Sequence, residues 1–143
     1  MWVYKEIRTL GDYVSYYARH APSRTALVYG AHVTTYDELD EQSTRLARGL
    51  AAAGVTAAAR VVYLGKNSDD FFLALFGTVK HGACFCPLNW RLSEPELCRV
   101  LADADAHFAS SAATTRTDRR GTARCRRPTL PCTERCSSRG RWS

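Results

Sequence analysis

The sequence lacks the glycine-rich loops that bind nucleotide phosphates. Neither GxxxxGK[ST] nor GxGxxG occurs anywhere in its 143 residues, and its nine glycines stand singly. Such loops are found where backbone amides cradle a phosphate group. We therefore expect neither a P-loop nor a Rossmann-type dinucleotide site in this chain.

Long hydrophobic runs are also absent. The longest strongly apolar run, residues 71–76, is far shorter than the roughly 20 residues that a membrane helix needs. The opening MWVYKE does not show the basic, apolar and small-residue order of a signal peptide. We predict no membrane span and a cytoplasmic protein with reduced thiols.

Most of the chain has no excess of basic residues. Residues 1–110 contain eleven Lys and Arg against twelve Asp and Glu, whereas residues 111–143 contain nine Arg against two acids. The net charge of +6 thus arises entirely in the last segment. A neutral body gives no indication of a nucleic-acid or membrane surface. We divide the chain into a domain over 1–110 and a tail over 111–143.

The tail has almost no large apolar side chains. Among residues 111–143 only Leu130 and Trp142 are large and apolar, so burial cannot offset about 1–2 kcal/mol of backbone ordering per residue. We predict a disordered tail. An Arg, Thr, Ser, Cys and Pro mixture is typical of a shifted reading frame through GC-rich DNA. We favour that origin over a nucleic-acid-binding tail, because no aromatic residues alternate with the arginines.

Catalytic and metal-binding patterns are missing as well. The four histidines are scattered, and none accompanies a Ser or Cys motif. Cys84 and Cys86 lie two apart in a predicted strand, and we expect their side chains on opposite faces, which would prevent them from sharing a metal. Cys132 and Cys136, with Cys125, could hold zinc, but no nearby histidine supports this. We predict no catalytic, cofactor-binding or metal-binding residue.

Acidic clusters in the sequence have a structural explanation. Four carboxylates fall in the first turn of a predicted helix, where the helix dipole favours them over a catalytic pair. They are Asp37, Glu38, Asp40 and Glu41. Asp69 and Asp70 follow Ser68, which can cap the next helix, and are interpreted in the same way.

The sequence of the first half of the chain predicts a helix, a β-hairpin and a second helix. Thr9 can cap a helix that ends before Pro22, and residues 25–29 and 32–35 flank Gly30 as a β-hairpin. Thr35 and Glu38 fit a capping box. The helix that follows should end near Gly54. Its predicted inward side chains are Leu39, Ser43, Leu46, Ala47 and Leu50, and those of the first helix are Leu10, Val14, Tyr17 and Ala18.

Strands and helices alternate in the second half. Strand starts near residues 61, 83 and 106 suit right-handed crossovers in a parallel sheet, so we predict an α/β fold with a βαβαβ unit. The strand over 83–88 should be buried on both faces, and the third strand should lie at a sheet edge. Gly77 should allow close approach of a neighbouring strand. In the helix over 69–81 the predicted buried stripe is Phe72, Leu75, Phe76 and Val79.

Three segments carry a family resemblance. The segment TTYDELD over 34–40, NSDDFFLALFG over 67–77 and VKHGACFCPLN over 79–89 followed by Arg91-Leu92 occur in the order seen in AMP-forming acyl-CoA synthetases. The sequence over roughly 9–110 resembles this adenylate-forming superfamily. Asn89 favours a fatty-acid or aromatic-acid CoA ligase over a peptide synthetase. The resemblance implies an incomplete subdomain of the adenylate-forming fold.

The resemblance also implies a two-step reaction. In the family a carboxylate attacks Mg-ATP to give an acyl-adenylate, and CoA then displaces AMP. The phosphate loop, the metal-binding Glu, the ribose-binding Asp and the catalytic Lys of the family cannot be placed in this chain. Lys66 and Lys80 match scaffold positions and are not assigned catalytic roles.

These observations lead to one hypothesis and two alternatives. The chain is interpreted as the N-terminal piece of a carboxylate–CoA ligase, truncated near Ser110, inactive alone and binding no ATP, Mg or CoA by itself. One alternative is half of a split ligase that a partner chain completes. The other is a small protein that binds nucleic acid through its basic tail.

Overall fold

The structure, a computed structural model, describes residues 6–105 and the backbone of 108–111. The disordered tail predicted for 111–143 lies outside the described residues from 112 onward. None of the described helices is long and apolar enough to cross a membrane. The elements of the described part are α1 (Leu10–His20), β1 (Thr25–Tyr29), β2 (His32–Thr35), α2 (Tyr36–Ala52), β3 (Arg60–Leu64), α3 (Asp69–His81), β4 (Cys84–Leu88), α4 (Glu94–Asp103) and β5 (Phe108–Ser111).

Side-chain caps begin three of the four helices. Thr9 and Thr35 each accept a hydrogen bond from the backbone three residues on, and the carboxylates of Asp12 and Glu38 accept one in return. At α4, the Glu96 carboxylate accepts from the backbone N–H of Ser93 at 2.8 Å. These caps satisfy amides that the helix leaves unpaired. Ser68 stands at the start of α3 but makes no such side-chain bond, so its predicted cap is wrong.

The N-terminal half combines the hairpin with two helices. β1 and β2 pair antiparallel around Gly30, which has φ +61°. Leu39, Ser43 and Leu50 of α2 are buried, as predicted, and Val14 is the fully buried apolar side chain of α1. Leu10 is 51% exposed, contrary to the prediction, because it stands at the first residue of α1.

Three parallel strands form the sheet of the second half, in the order β4-β3-β5. The α/β prediction is thereby confirmed, and among the described residues the third strand lies at the sheet edge, as predicted. The prediction that the strand over 83–88, β4, is buried on both faces is wrong. Val61, Val62 and Tyr63 of β3 are buried, whereas β4 has exposed positions at Cys84 and Pro87. The reason is that β3 is the strand with a neighbour on each side among the described residues.

Helix α3 buries small side chains instead of the predicted large ones. Its buried residues are Ala74, Gly77 and Thr78, and Phe72 is 39% exposed. Gly77 faces α2 and not a strand, since a Cβ there would lie 2.6 Å from the Leu46 side chain. Close helix–helix approach therefore selects small residues at this interface, and the predicted stripe over 72–79 is wrong.

Candidate functional site

The two loops at the carboxyl ends of β3 and β4 leave the sheet toward opposite faces. The chain passes from β3 through α3 to the neighbouring β4, and then through α4 back across β3 to β5. Right-handed crossovers place α3 on one face and α4 on the other. The loops that follow β3 and β4 thus leave neighbouring strands at the carboxyl edge of the sheet, where ligands of open α/β sheets bind.

The first of these loops is shaped by Tyr63. Its ring folds over Gly65, where a Cβ would lie 2.8 Å from the Tyr63 hydroxyl oxygen. The hydroxyl donates to the Lys66 carbonyl oxygen at 3.4 Å. Burial raises the pKa of Tyr63 above its ordinary value, so the hydroxyl remains a donor at neutral pH. The backbone at Lys66 is held while its side chain is exposed.

The second loop is shaped by Asn89. Its side-chain oxygen accepts the Arg91 backbone N–H at 3.0 Å, and its carbonyl accepts from Leu92 at 3.2 Å. This turn presents Trp90, which is 45% exposed. Asn89, which is part of the family resemblance, thus closes the turn.

Two cations meet the indole of Trp90. Lys66 Nζ lies 4.9 Å from a ring centroid of Trp90, and Arg91 Cζ lies 5.0 Å from it. Each distance suits a cation–π contact, worth about 0.5–1 kcal/mol at an exposed site. We call Lys66, Trp90 and Arg91 the cation–π cluster. Its chemistry favours an anionic or aromatic ligand, and the sequence reasoning missed it because the loops meet only through the sheet register.

Lys80 lies in a different environment from Lys66. Its Nζ donates to Asp40 Oδ1 at 2.6 Å, to the Asp40 carbonyl oxygen at 3.0 Å and to Thr44 Oγ1 at 3.0 Å. An ammonium group has three donors, so each has a partner here. The side chain is 11% exposed. Lys80 therefore joins α3 to α2.

Asp40 is the acidic member of this pair. Ser15 Oγ of α1 also donates to its Oδ1, at 2.6 Å. Burial alone would raise the pKa of Asp40, but the hydrogen bonds from Lys80 and Ser15 outweigh it and hold the pKa below its ordinary value. The sequence interpretation explained Asp40 by the helix dipole at the first turn; the structure shows in addition that it ties three helices together.

The two cysteines of β4 do not lie on opposite faces of the strand. Cys84 and Cys86 lie on the same face of the strand, with their sulfur atoms 3.9 Å apart. The opposite-face prediction was wrong because side chains alternate with a period of two, which brings residues i and i+2 to one side. Among the described residues no group of three or more His, Cys, Asp or Glu side chains could hold a metal ion.

Two concavities of the described part were considered as ligand sites. One is an open depression of about 270 Å³ along α2, lined by charged and polar side chains. The other, about 30 Å³, lies between the hairpin and helices α2 and α3. Pockets for drug-sized ligands hold about 300–1,000 Å³, so neither accommodates an acyl-adenylate.

Comparison with known proteins agrees with the fold. Residues 14–137 match the family described as AMP-binding enzyme. The chain is 38% identical over 99 residues to fatty acid–[acyl-carrier-protein] ligase ScoC of Streptomyces coeruleorubidus, covering 69% of this chain and 19% of ScoC. It is 45% identical over 97 residues to feruloyl-CoA synthase of an Amycolatopsis species, covering 68% and 20%.

A solved structure extends this likeness to three dimensions. The fold superposes on a Mycobacterium tuberculosis fatty acyl CoA synthetase with a TM-score of 0.68 at 29% identity, covering 71% of this chain and 20% of the synthetase. The family resemblance inferred from the sequence is confirmed. The chain spans about a fifth of the length of the curated relatives it matches.

Proposed function

The chain belongs to the AMP-binding enzyme family, and we propose that it forms the structural N-terminal part of a ligase that activates a carboxylate with ATP and passes the acyl group to a thiol. The observation that carries this proposal is the three-stranded unit with crossovers to both faces and no phosphate loop in the sequence. Adenylation develops charge that needs preorganised donors. The chain alone therefore lacks this activity.

The cation–π cluster is proposed to face an anionic part of a substrate in the completed ligase. Lys66 and Arg91 bring two positive charges to the carboxyl edge of the sheet, and both lie about 5 Å from the Trp90 ring. Phosphate groups occur on both ATP and CoA, so the shared chemistry is a polyphosphate chain. Arginine suits such a ligand because its planar fork binds phosphate oxygens in pairs.

A split ligase is the second candidate, and two surface features favour it. β4 and β5 are the outer strands of the described sheet, and an outer strand offers unpaired backbone groups for another chain to extend. Val28, Tyr29 and Val33 of the hairpin are all more than half exposed. A partner chain that carries the remainder of the ligase would cover such surfaces.

Complementation tests the proposal directly. The Amycolatopsis feruloyl-CoA synthase lacking its matching 97 residues would be co-expressed with this chain, and ferulate-dependent thioester formation measured. The separately expressed N-terminal segment of the synthase is the positive control. We expect thioester formation when either segment is co-expressed and none when both segments are omitted. Activity with the synthase's own segment but not with this chain would contradict the proposed role.

The complemented enzyme also tests the cation–π cluster. Lys66→Met and Arg91→Met should raise KM for a phosphate-bearing substrate several-fold with kcat nearly unchanged, because they remove ground-state binding. A shift for ATP alone or for CoA alone identifies which polyphosphate is bound. Arg45→Met is the matched control, since Arg45 pairs with Glu41 on the surface of α2. Unchanged KM for both substrates would exclude the assignment.

A further inference from the structure

Cys84 and Cys86 form a pair of thiols on the exposed strand β4. The backbone register fixes their common face, since β4 pairs parallel with β3 from Cys84 opposite Arg60 to Leu88 opposite Leu64. Their sulfur atoms are 3.9 Å apart, Cys84 is exposed and Cys86 is partly exposed. Phe85 between them points the other way, toward Tyr63 and Phe71.

The sulfur separation distinguishes metal chelation from disulfide formation. Two bonds of about 2.3 Å from thiolates to a tetrahedral ion hold their sulfurs roughly 3.8 Å apart. A disulfide requires about 2.05 Å. Two residues along a strand also rise roughly 6.6 Å, near the upper end of the roughly 4.4–6.8 Å between the Cα atoms of disulfides. The observed 3.9 Å matches the metal geometry without movement of the strand.

The chemistry of the two side chains fits the same geometry. A cysteine binds a metal ion as its thiolate. A thiophilic cation displaces both protons and forms two metal–sulfur bonds.

We propose that Cys84 and Cys86 form a two-thiolate chelating site for a thiophilic d10 divalent cation such as Zn²⁺ or Cd²⁺, with water completing the coordination shell. The reaction releases two protons per ion bound and changes no oxidation state. The described residues supply no third protein ligand, so the site is open and exchangeable. This assignment does not depend on the proposed ligase function.

Cadmium titration of the full chain tests the site. Cys125, Cys132 and Cys136 are replaced by Ser so that they do not compete, and a phosphine keeps the thiols reduced. Binding is followed by the thiolate-to-metal absorption band and by native mass spectrometry. We expect one Cd²⁺ per chain. Because loss of even an outer-shell partner costs about 10–100-fold in metal affinity, Cys84→Ser or Cys86→Ser should weaken binding at least tenfold.

Two control variants test whether binding requires two thiols on the same face of β4 or only the presence of thiols in the chain. Cys98→Ser removes a thiol from α4 and should leave the affinity unchanged. Cys84→Ser with Pro87→Cys keeps two cysteines in β4 but places them at adjacent positions, on opposite faces, and should bind as weakly as the single Ser variants. Equal affinity of this variant and the parent, or undiminished binding after Cys84→Ser and Cys86→Ser, would overturn the proposal.

Discussion

Lys80 of α3 and Asp40 of α2 form an ion pair of 2.6 Å in which the lysine side chain is 11% exposed and the aspartate 29%. Ser15 of α1 donates to the same carboxylate oxygen. One carboxylate thus links three helices that are distant in sequence. Breaking a pair of this kind is more costly than its surface exposure suggests, because the remaining charge stays partly buried.

Loss of the Asp40–Lys80 pair should destabilise the fold. We expect Lys80→Met to lower the free energy of unfolding by about 1–3 kcal/mol, less than the 3–5 kcal/mol of a fully buried pair because Asp40 is partly solvated. Urea unfolding followed by circular dichroism measures the change. Glu41→Gln is the control: it breaks the exposed Glu41–Arg45 pair on the same helix and should cost under about 0.5 kcal/mol. Equal losses would contradict the account.

Asp40 should also make stability depend on pH in the acid range. Its pKa is lowered in the folded state, so its contribution is present above the ordinary carboxyl value of 3.8 and is lost as the pH falls through the lower folded value. Urea midpoints between pH 2 and pH 6 should therefore fall less steeply for Asp40→Asn than for the unsubstituted chain. Parallel curves for the two proteins would show that Asp40 is not the titrating group.

Gly77 and Gly49 should respond in opposite directions to alanine. A Cβ at residue 77 would meet Leu46 at 2.6 Å, and overpacking of this kind costs about 1–3 kcal/mol. A Cβ at residue 49, within α2, would meet nothing within 4 Å, so Gly49→Ala should stabilise by about 0.5–1 kcal/mol. Thermal unfolding of both variants checks the signs. Stabilisation by Gly77→Ala would show that α2 and α3 are not so closely packed.

Local sequence signals predicted the elements and two of the helix caps. The Thr9 and Thr35 helix starts depend on contacts within four residues, and the structure contains both. The resemblance likewise rests on contiguous motifs. These features could be inferred because the interacting atoms are close in sequence.

Features that depend on tertiary packing were not predictable in the same way. The burial of β3 instead of β4 follows from strand order, and the small-residue interface of α3 follows from its contact with Leu46. The cation–π cluster depends on the β3–β4 register, which brings two loops together. The error on Cys84 and Cys86 has a different origin, since strand alternation alone places them on one face.

Carboxylate-dependent exchange of labelled pyrophosphate into ATP by the pure chain tests the central claim most directly. The sequence has no phosphate loop to stabilise the charge that develops in the adenylation transition state. We predict no exchange above a no-enzyme control with fatty or aromatic acids, under conditions in which a full-length relative exchanges readily. Sustained, acid-dependent exchange that survives further purification would contradict the account.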